Sequence, residues 1–385
     1  MTRALLASLL VSSFLGCNGS DLTVEEDRHR PHDMAQANDL ASGGGTGGNG
    51  SGDLAAAAPD LAGGGAGGGG SGGGGAGGAG GGTPGSGLFP STAPWYTDIT
   101  NAAKDAQSDA AIAALSSKGG WGNGKMQIDF SITVQHANAS TPMMSFSPTS
   151  DWYSPDCDNV AVPVPTGGSV EGETGYACTG GGDCHLIVID DATHKLYEMW
   201  RADITGGTFN GGCLAVWDLT KDYQPHGRGE GCTSADAGGF PMTALLFTAD
   251  EVAAGAINHA IRFILPNDRI GKGSYVHPAT HATNASASTT AANSPPYGAR
   301  LRLRADYPVA SLPSAGARVV AQAMQKYGMI LSDGGNVALT AASDKFTTHK
   351  WSGVLSANDL SALKVTDFVM VDGGTRVPLA SCVRQ

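Results

Sequence analysis

The sequence predicts a mainly β domain of β-sandwich or jelly-roll-like build, with a few short helices, behind a disordered glycine-rich tether. Three observations predict it. Short apolar runs at period two recur between Gly-rich turns. Few windows carry helical spacing, which favours packed sheets. Residues 43–86 are almost wholly Gly, Ala and Ser, broken by Asp-Leu pairs, and such a stretch cannot bury enough apolar surface to offset its chain entropy.

In chain order, Met1-Thr2-Arg3 followed by the apolar run Ala4–Val11 reads as an export signal too short to span a bilayer. Phe14-Leu15-Gly16-Cys17 looks like a bacterial lipobox, with Phe14 where that box usually has Leu. Residues 1–17 are therefore expected to be a lipoprotein signal peptide, with Cys17 acylated and the chain anchored to the cell envelope. Asn18 is not the Asp that marks inner-membrane retention in some bacteria, which favours the outer membrane. Residues 18–86 form the tether, whose Gly-rich part spans roughly 35–40 Å as a coil. Residues 87–385 form the folded domain, where Phe89, Pro90, Trp95 and Tyr96 restore bulky side chains.

Within that domain, Met126–Val134 alternates at period two. His185–Asp190 and Leu196–Trp200 flank the turn residues Asp191–Lys195 and read as a hairpin. Cys213–Trp217, Ile257–Ile264 and Ala299–Arg304 are further strands. Thr248-Ala249-Asp250-Glu251 is a capping box that opens a short helix. Ser314–Tyr327 carries apolar residues at helical spacing and ends before Gly328. Ser356-Ala357-Asn358-Asp359 is read as the start of a third helix.

Seven cysteines leave six after Cys17, enough for three disulfides in an oxidising compartment. Six allow fifteen connectivities, among which Cys178 with Cys184 would close a short Gly-rich loop and Cys213 with Cys232 a longer one. The net charge of −12 and a pI near 5.1 argue against nucleic acid or an anionic membrane surface as partners.

Four stretches carry candidate chemistry. Asp183 precedes the hairpin strand that opens at His185, and if Ile187 pairs with Glu198, then His185 sits opposite Trp200 and diagonal to Glu198, which places an acid, an imidazole and an indole on one surface. Carboxylates beside an aromatic platform suit sugars. The bland alternative is a half-buried hairpin with a satisfied ion pair. Gly231–Gly239 offers Asp236 among small residues, as a second carboxylate or an Asx turn. Ser234 lacks the Gly-x-Ser-x-Gly elbow of an esterase, and His226–Gly231 resembles a phosphate loop only in its glycines. In Tyr275–His281, His277 and His281 share a side if extended, and with His185 they are a minority metal set. Arg300, Arg302 and Arg304 form a stripe that either holds acidic polysaccharide through Arg300 or sits in internal contacts.

The hairpin from Asp183-Cys184-His185 to Tyr197-Glu198, Thr233-Ser234-Ala235-Asp236-Ala237-Gly238, Asp250-Glu251-Val252, Ile257–Arg262, Pro278-Ala279-Thr280-His281 and Tyr327-Gly328-Met329 together resemble an uncharacterised family of secreted bacterial proteins, over roughly residues 125–345. The resemblance implies that Asp183, His185, Glu198, Asp236 and His281 lie near one site, and brings no reaction with it. The expectation is a polysaccharide-active enzyme with Glu198 and Asp236 as the acid–base pair, assisted by Asp183, and with His185, Trp200, His281 and Arg300 binding. The rivals are a carbohydrate-binding or structural surface protein and a metal-binding protein.

Overall fold

The computed structural model describes Gly85 and residues 87–385; the signal segment, Cys17 and the tether lie outside the described residues. The domain is mainly β, with short helices, as its alternating runs predict. Its principal strands are β1 (Ile128–Ile132), β2 (Val134–Ala137), β3 (Leu186–Asp190), β4 (Lys195–Trp200), β5 (Cys213–Asp218), β6 (Ile261–Leu265), β7 (Arg300–Leu303), β8 (Met329–Gly334), β9 (Leu339–Ala342) and β10 (Phe368–Val371).

These strands build two sheets. The larger runs β1-β9-β6-β8-β7-β10, and the smaller runs β5-β4-β3-β2. The predicted strand Met126–Val134 breaks at Thr133, so its first half joins the larger sheet and its second the smaller. In the hairpin of β3 and β4, Ile187 pairs with Glu198, the register on which the proposed juxtaposition rested. The strand read from Ile257 begins only at Ile261, because Ala260 N–H is spent on Trp95 O at 2.7 Å.

Alternation along β3 decides how the smaller sheet is covered. Ile187 and Ile189 face the main core shared with the larger sheet, while Leu186 and Val188 face a second apolar cluster with Val162 and Phe209. Both faces are therefore buried, which explains the unbroken run Leu-Ile-Val-Ile.

Helix α1 (Ser108–Ser117) has no counterpart in the sequence reading, although Ala111, Ile112 and Leu115 form a buried stripe. Helix α2 (Ala249–Ala254) carries the expected capping box, with Glu251 N–H donating to Thr248 Oγ1 and Thr248 N–H to Glu251 Oε2. Helix α3 (Ala315–Lys326) buries Ala317, Val320, Ala321 and Met324, and Gly328 follows at φ +70°. The helix expected from Ser356 is instead a run of turns. Its N–H groups bond three residues back, and Asp359 is occupied by Ser356 N–H and the Ser314 hydroxyl. Among the described residues, no helix is long and apolar enough to cross a membrane.

Three disulfides form, in keeping with an oxidising compartment. Cys178–Cys184 is as expected, but Cys213 pairs with Cys157 and Cys232 with Cys382, correcting the Cys213–Cys232 assignment. The reason is strand contact rather than sequence separation. Asp158 N–H bonds Leu214 O, which sets Cys157 beside Cys213, and Gly229–Glu230 pairs with Val383–Arg384, which brings Cys382 to Cys232. The last bridge closes the longest loop, worth about 5 kcal/mol in the chain-entropy account.

Candidate functional site

Residues 231–249 are buried throughout, which is unusual for a stretch so rich in Gly, Ala and Ser. Buried backbone needs partners, and its own hydroxyls supply several. Ser234 Oγ donates to Phe240 O at 2.6 Å and accepts from Asp236 N–H at 3.0 Å. Thr233 Oγ1 donates to Ala237 O at 3.1 Å. Gly239 sits at φ +83°, and a β-carbon there would lie 2.1 Å from Thr280 Oγ1, so only glycine fits. The result is a rigid loop that presents Asp236 inward.

Asp236 meets Arg262, on β6. The guanidinium donates to Asp236 Oδ1 at 2.8 Å, to Asp333 Oδ2 at 3.2 Å and to Thr340 Oγ1 at 2.7 Å. Asp333 lies near the end of β8 and Thr340 on β9, the two strands that flank β6, so two strands and one loop converge on a single cation. Burial first, then the neighbouring Asp236 and Asp183 carboxylates, push the Asp333 carboxyl up to about 8 against the opposing pull of Arg262. The shift is toward the protonated form of Asp333.

His185 approaches from the other sheet. Its Nδ1 donates to Glu171 Oε2 at 2.6 Å and its Nε2 to Ala235 O at 3.1 Å, so both ring nitrogens face oxygen. Burial pulls the imidazole down, but Glu171, backed by Asp183, overrides it and raises the value to about 9. Glu171 is also buried against ionisation, yet the His185 charge holds it below the ordinary range. The His185–Glu171 pair is therefore ionised. Asp183 accepts from Trp200 Nε1 at 3.0 Å.

Glu198 plays a different part. It is 0 % exposed. Its oxygens accept from Thr243 N–H (2.8 Å), Thr243 Oγ1 (2.6 Å), Met242 N–H (3.2 Å) and Trp217 Nε1 (3.1 Å). Burial lifts it to about 7 against these donors. Three of these donors belong to the turn after Pro241, so the carboxyl fixes that turn, and the fourth, Trp217, ties it to β5. His281 donates from Nδ1 to Ala237 O at 3.0 Å, and burial lowers it to about 4, so it is neutral. Its Nε2 lone pair has no hydrogen-bond partner among the described residues.

The structure thus brings Asp183, His185, Glu198, Asp236 and His281 to one buried polar region. It places the other candidates elsewhere or in other roles. Trp200 is buried, with the Arg201 guanidinium 4.5 Å over its ring, and offers no open face for a sugar to stack on. Arg300 donates to Tyr327 O, Pro94 O and Thr97 O, pinning the segment that enters the domain. Arg302 likewise holds Ile99 O and Ala102 O. His277 faces Glu230 rather than the minority metal partners His185 and His281.

Three residues of the region were not singled out from sequence as site residues: Glu171, Arg262 and Asp333. A charged residue inside an apolar strand run, as Arg262 is in Ala-Ile-Arg-Phe-Ile-Leu, was a usable signal. At the surface, Glu171 keeps 18 % and Asp333 12 % of its side chain exposed, and Asp183 is half-buried. These three carboxyls are where the polar region reaches solvent. Comparison with protein families, with curated proteins and with solved structures finds no match to this chain.

Proposed function

We propose that the chain is a lipid-anchored protein of the cell envelope whose domain hydrolyses extracellular polysaccharide by acid–base catalysis. What supports this reading is the contrast between two rim carboxyls that both feel the Arg262 charge: burial raises Asp333 toward its protonated form, whereas the His185 contact lowers Glu171. Glycoside hydrolysis commonly asks for such a pair, one carboxyl to protonate the leaving oxygen and one carboxylate to act on the other side. This reading moves the acid–base roles from Glu198 and Asp236 to Asp333 and Glu171. Asp236 then holds Arg262, and Glu198 holds the loop that carries Asp236. The export signal, Cys17 and the three disulfides support the envelope setting.

A second reading, a polysaccharide-binding domain without turnover, is favoured by the depth of Asp236 and Glu198, both 0 % exposed. Sugar release from a broad polysaccharide panel separates the two. The enzyme reading expects release by the oxidised protein and a loss of more than about a hundredfold in Asp333→Asn and in Glu171→Gln. Glycan retention with no release from any substrate would favour the binding reading and sink the enzyme.

A further inference from the structure

A second cluster of titratable groups lies outside the Arg262 region and shares no residue with it. His226, Glu230 and His277 each offer a ligand atom, and these atoms lie within 4.8 Å of one another. His226 Nδ1 is 2.5 Å and His277 Nε2 is 2.7 Å from the same oxygen, Glu230 Oε1. The two imidazole rings stand 5.6 Å apart at 80°. Such convergence of two imidazoles on one carboxylate oxygen is a donor set of metal-binding type.

The backbone around it is held from several sides. Glu230 lies in the short strand Gly229–Glu230, paired with Val383–Arg384, and the Cys232–Cys382 disulfide closes that pairing two residues on. A β-carbon on Gly229 would lie 2.0 Å from Val383 O, so the approach demands glycine. The Tyr275 hydroxyl bonds Glu230 Oε2, the oxygen that faces neither histidine. A ligand carboxylate held by an outer hydrogen bond is the usual supporting arrangement at metal sites. The three side chains keep 42 %, 32 % and 32 % exposure, so an ion can reach them from solvent.

We propose that His226, Glu230 and His277 form a binding site for a divalent transition metal, zinc by its chemistry, with the fourth position open. Two imidazole nitrogens and one carboxylate oxygen match the three-ligand set of open zinc sites. Ligand atoms around a tetrahedral zinc lie roughly 3.3 Å apart, so the present 2.5 and 2.7 Å contacts open by less than an ångström as the ion enters. Each imidazole then presents its lone pair to the metal and carries its proton on the other ring nitrogen. The alternating His226-Gly227-Arg228-Gly229-Glu230 supplies two ligands without a phosphate-binding role. The ion ties together two segments that lead into the Arg262 region. Thr280 Oγ1 donates to Cys232 O at 2.7 Å, just before Asp236 on one strand of chain and His281 on the other.

The test is zinc titration of the full-length, oxidised protein after chelator treatment, with zinc counted by mass spectrometry after gel filtration. The expected result is one retained zinc per chain. Affinity falls at least tenfold in His226→Ala and in His277→Gln, and is unchanged in the His29→Gln/His32→Gln double variant, whose histidines lie outside the folded domain. Tyr275→Phe keeps all three ligands and is expected to weaken binding about tenfold by freeing Glu230. Cobalt substitution should give the visible bands of a four-coordinate nitrogen–oxygen site. If His277→Gln does not fold, His226→Ala carries the test. Less than one zinc per chain, or unchanged affinity in His226→Ala, overturns the site and leaves a hydrogen-bonded triad only.

Discussion

Glu198 and Asp333 are both carboxyls lifted by burial, to about 7 and about 8, yet their surroundings assign them opposite work. Every lone-pair direction of Glu198 is met by a donor from the turn after Pro241 or from Trp217, and no part of it reaches solvent. Asp333 receives one N–H from Gly334 and one from Arg262, and its side chain keeps an edge at the surface. A raised carboxyl alone therefore says little about chemistry. What separates the two is whether the oxygens are already spent on positioning.

The largest stability effect that sharpens this contrast is expected at Arg262, which serves the Asp333 side alone. Arg262→Met leaves Asp236 buried without its cation, and such a loss costs about 3–5 kcal/mol. Chemical denaturation should recover much of that in Arg262→Met/Asp236→Asn. If the double variant is no better than the single, the pairing is not what holds Asp236 there.

A pH effect of similar size belongs to the ionised pair at the rim. The folded value of His185 is about 9 against 6.5 unfolded, so the folded state holds the proton more tightly. The stabilisation is complete below about pH 6.5 and is lost as pH rises through 9, on the order of 3 kcal/mol. Urea midpoints of wild type should fall over that window, and those of Glu171→Gln should fall much less. Parallel curves would remove the ion pair from the account.

A smaller effect is expected at Glu198. In Glu198→Gln the amide N–H groups face N–H donors, which costs about 1–3 kcal/mol. Sugar release per folded molecule should stay within about tenfold of wild type, whereas Asp333→Asn should lose more than a hundredfold. A collapse of release in folded Glu198→Gln would return the chemistry to Glu198.

The same contrast marks how far the sequence can be read. Period-two alternation gave the hairpin that carries Glu198, because both strands are adjacent in the chain, but left its register as a condition that the Ile187–Glu198 pairing meets. Short-range signals also located the capping box at Thr248 and the Cys178–Cys184 bridge. Arg262 and Asp333 are 71 residues apart and meet only because β6 and β8 pair in parallel, a contact that leaves no local pattern. Arg300 and Arg302 were legible as one face of β7, but not that carbonyls of residues 94–102 would meet them, nor that Arg304 would leave the strand for Asp306. Ser356 began a helix only by local propensity, and the contact of Asp359 with Ser314 overrode it.

The most direct measurement is the titration of the Asp333 carboxyl itself, by carbon NMR of protein labelled at aspartate, with Asp333→Asn to assign the signal. The account predicts a carboxyl that stays protonated through neutral pH and titrates near 8. A carboxyl that ionises in the ordinary range near 3.8 would leave no proton donor at the rim and would contradict the proposed acid–base chemistry.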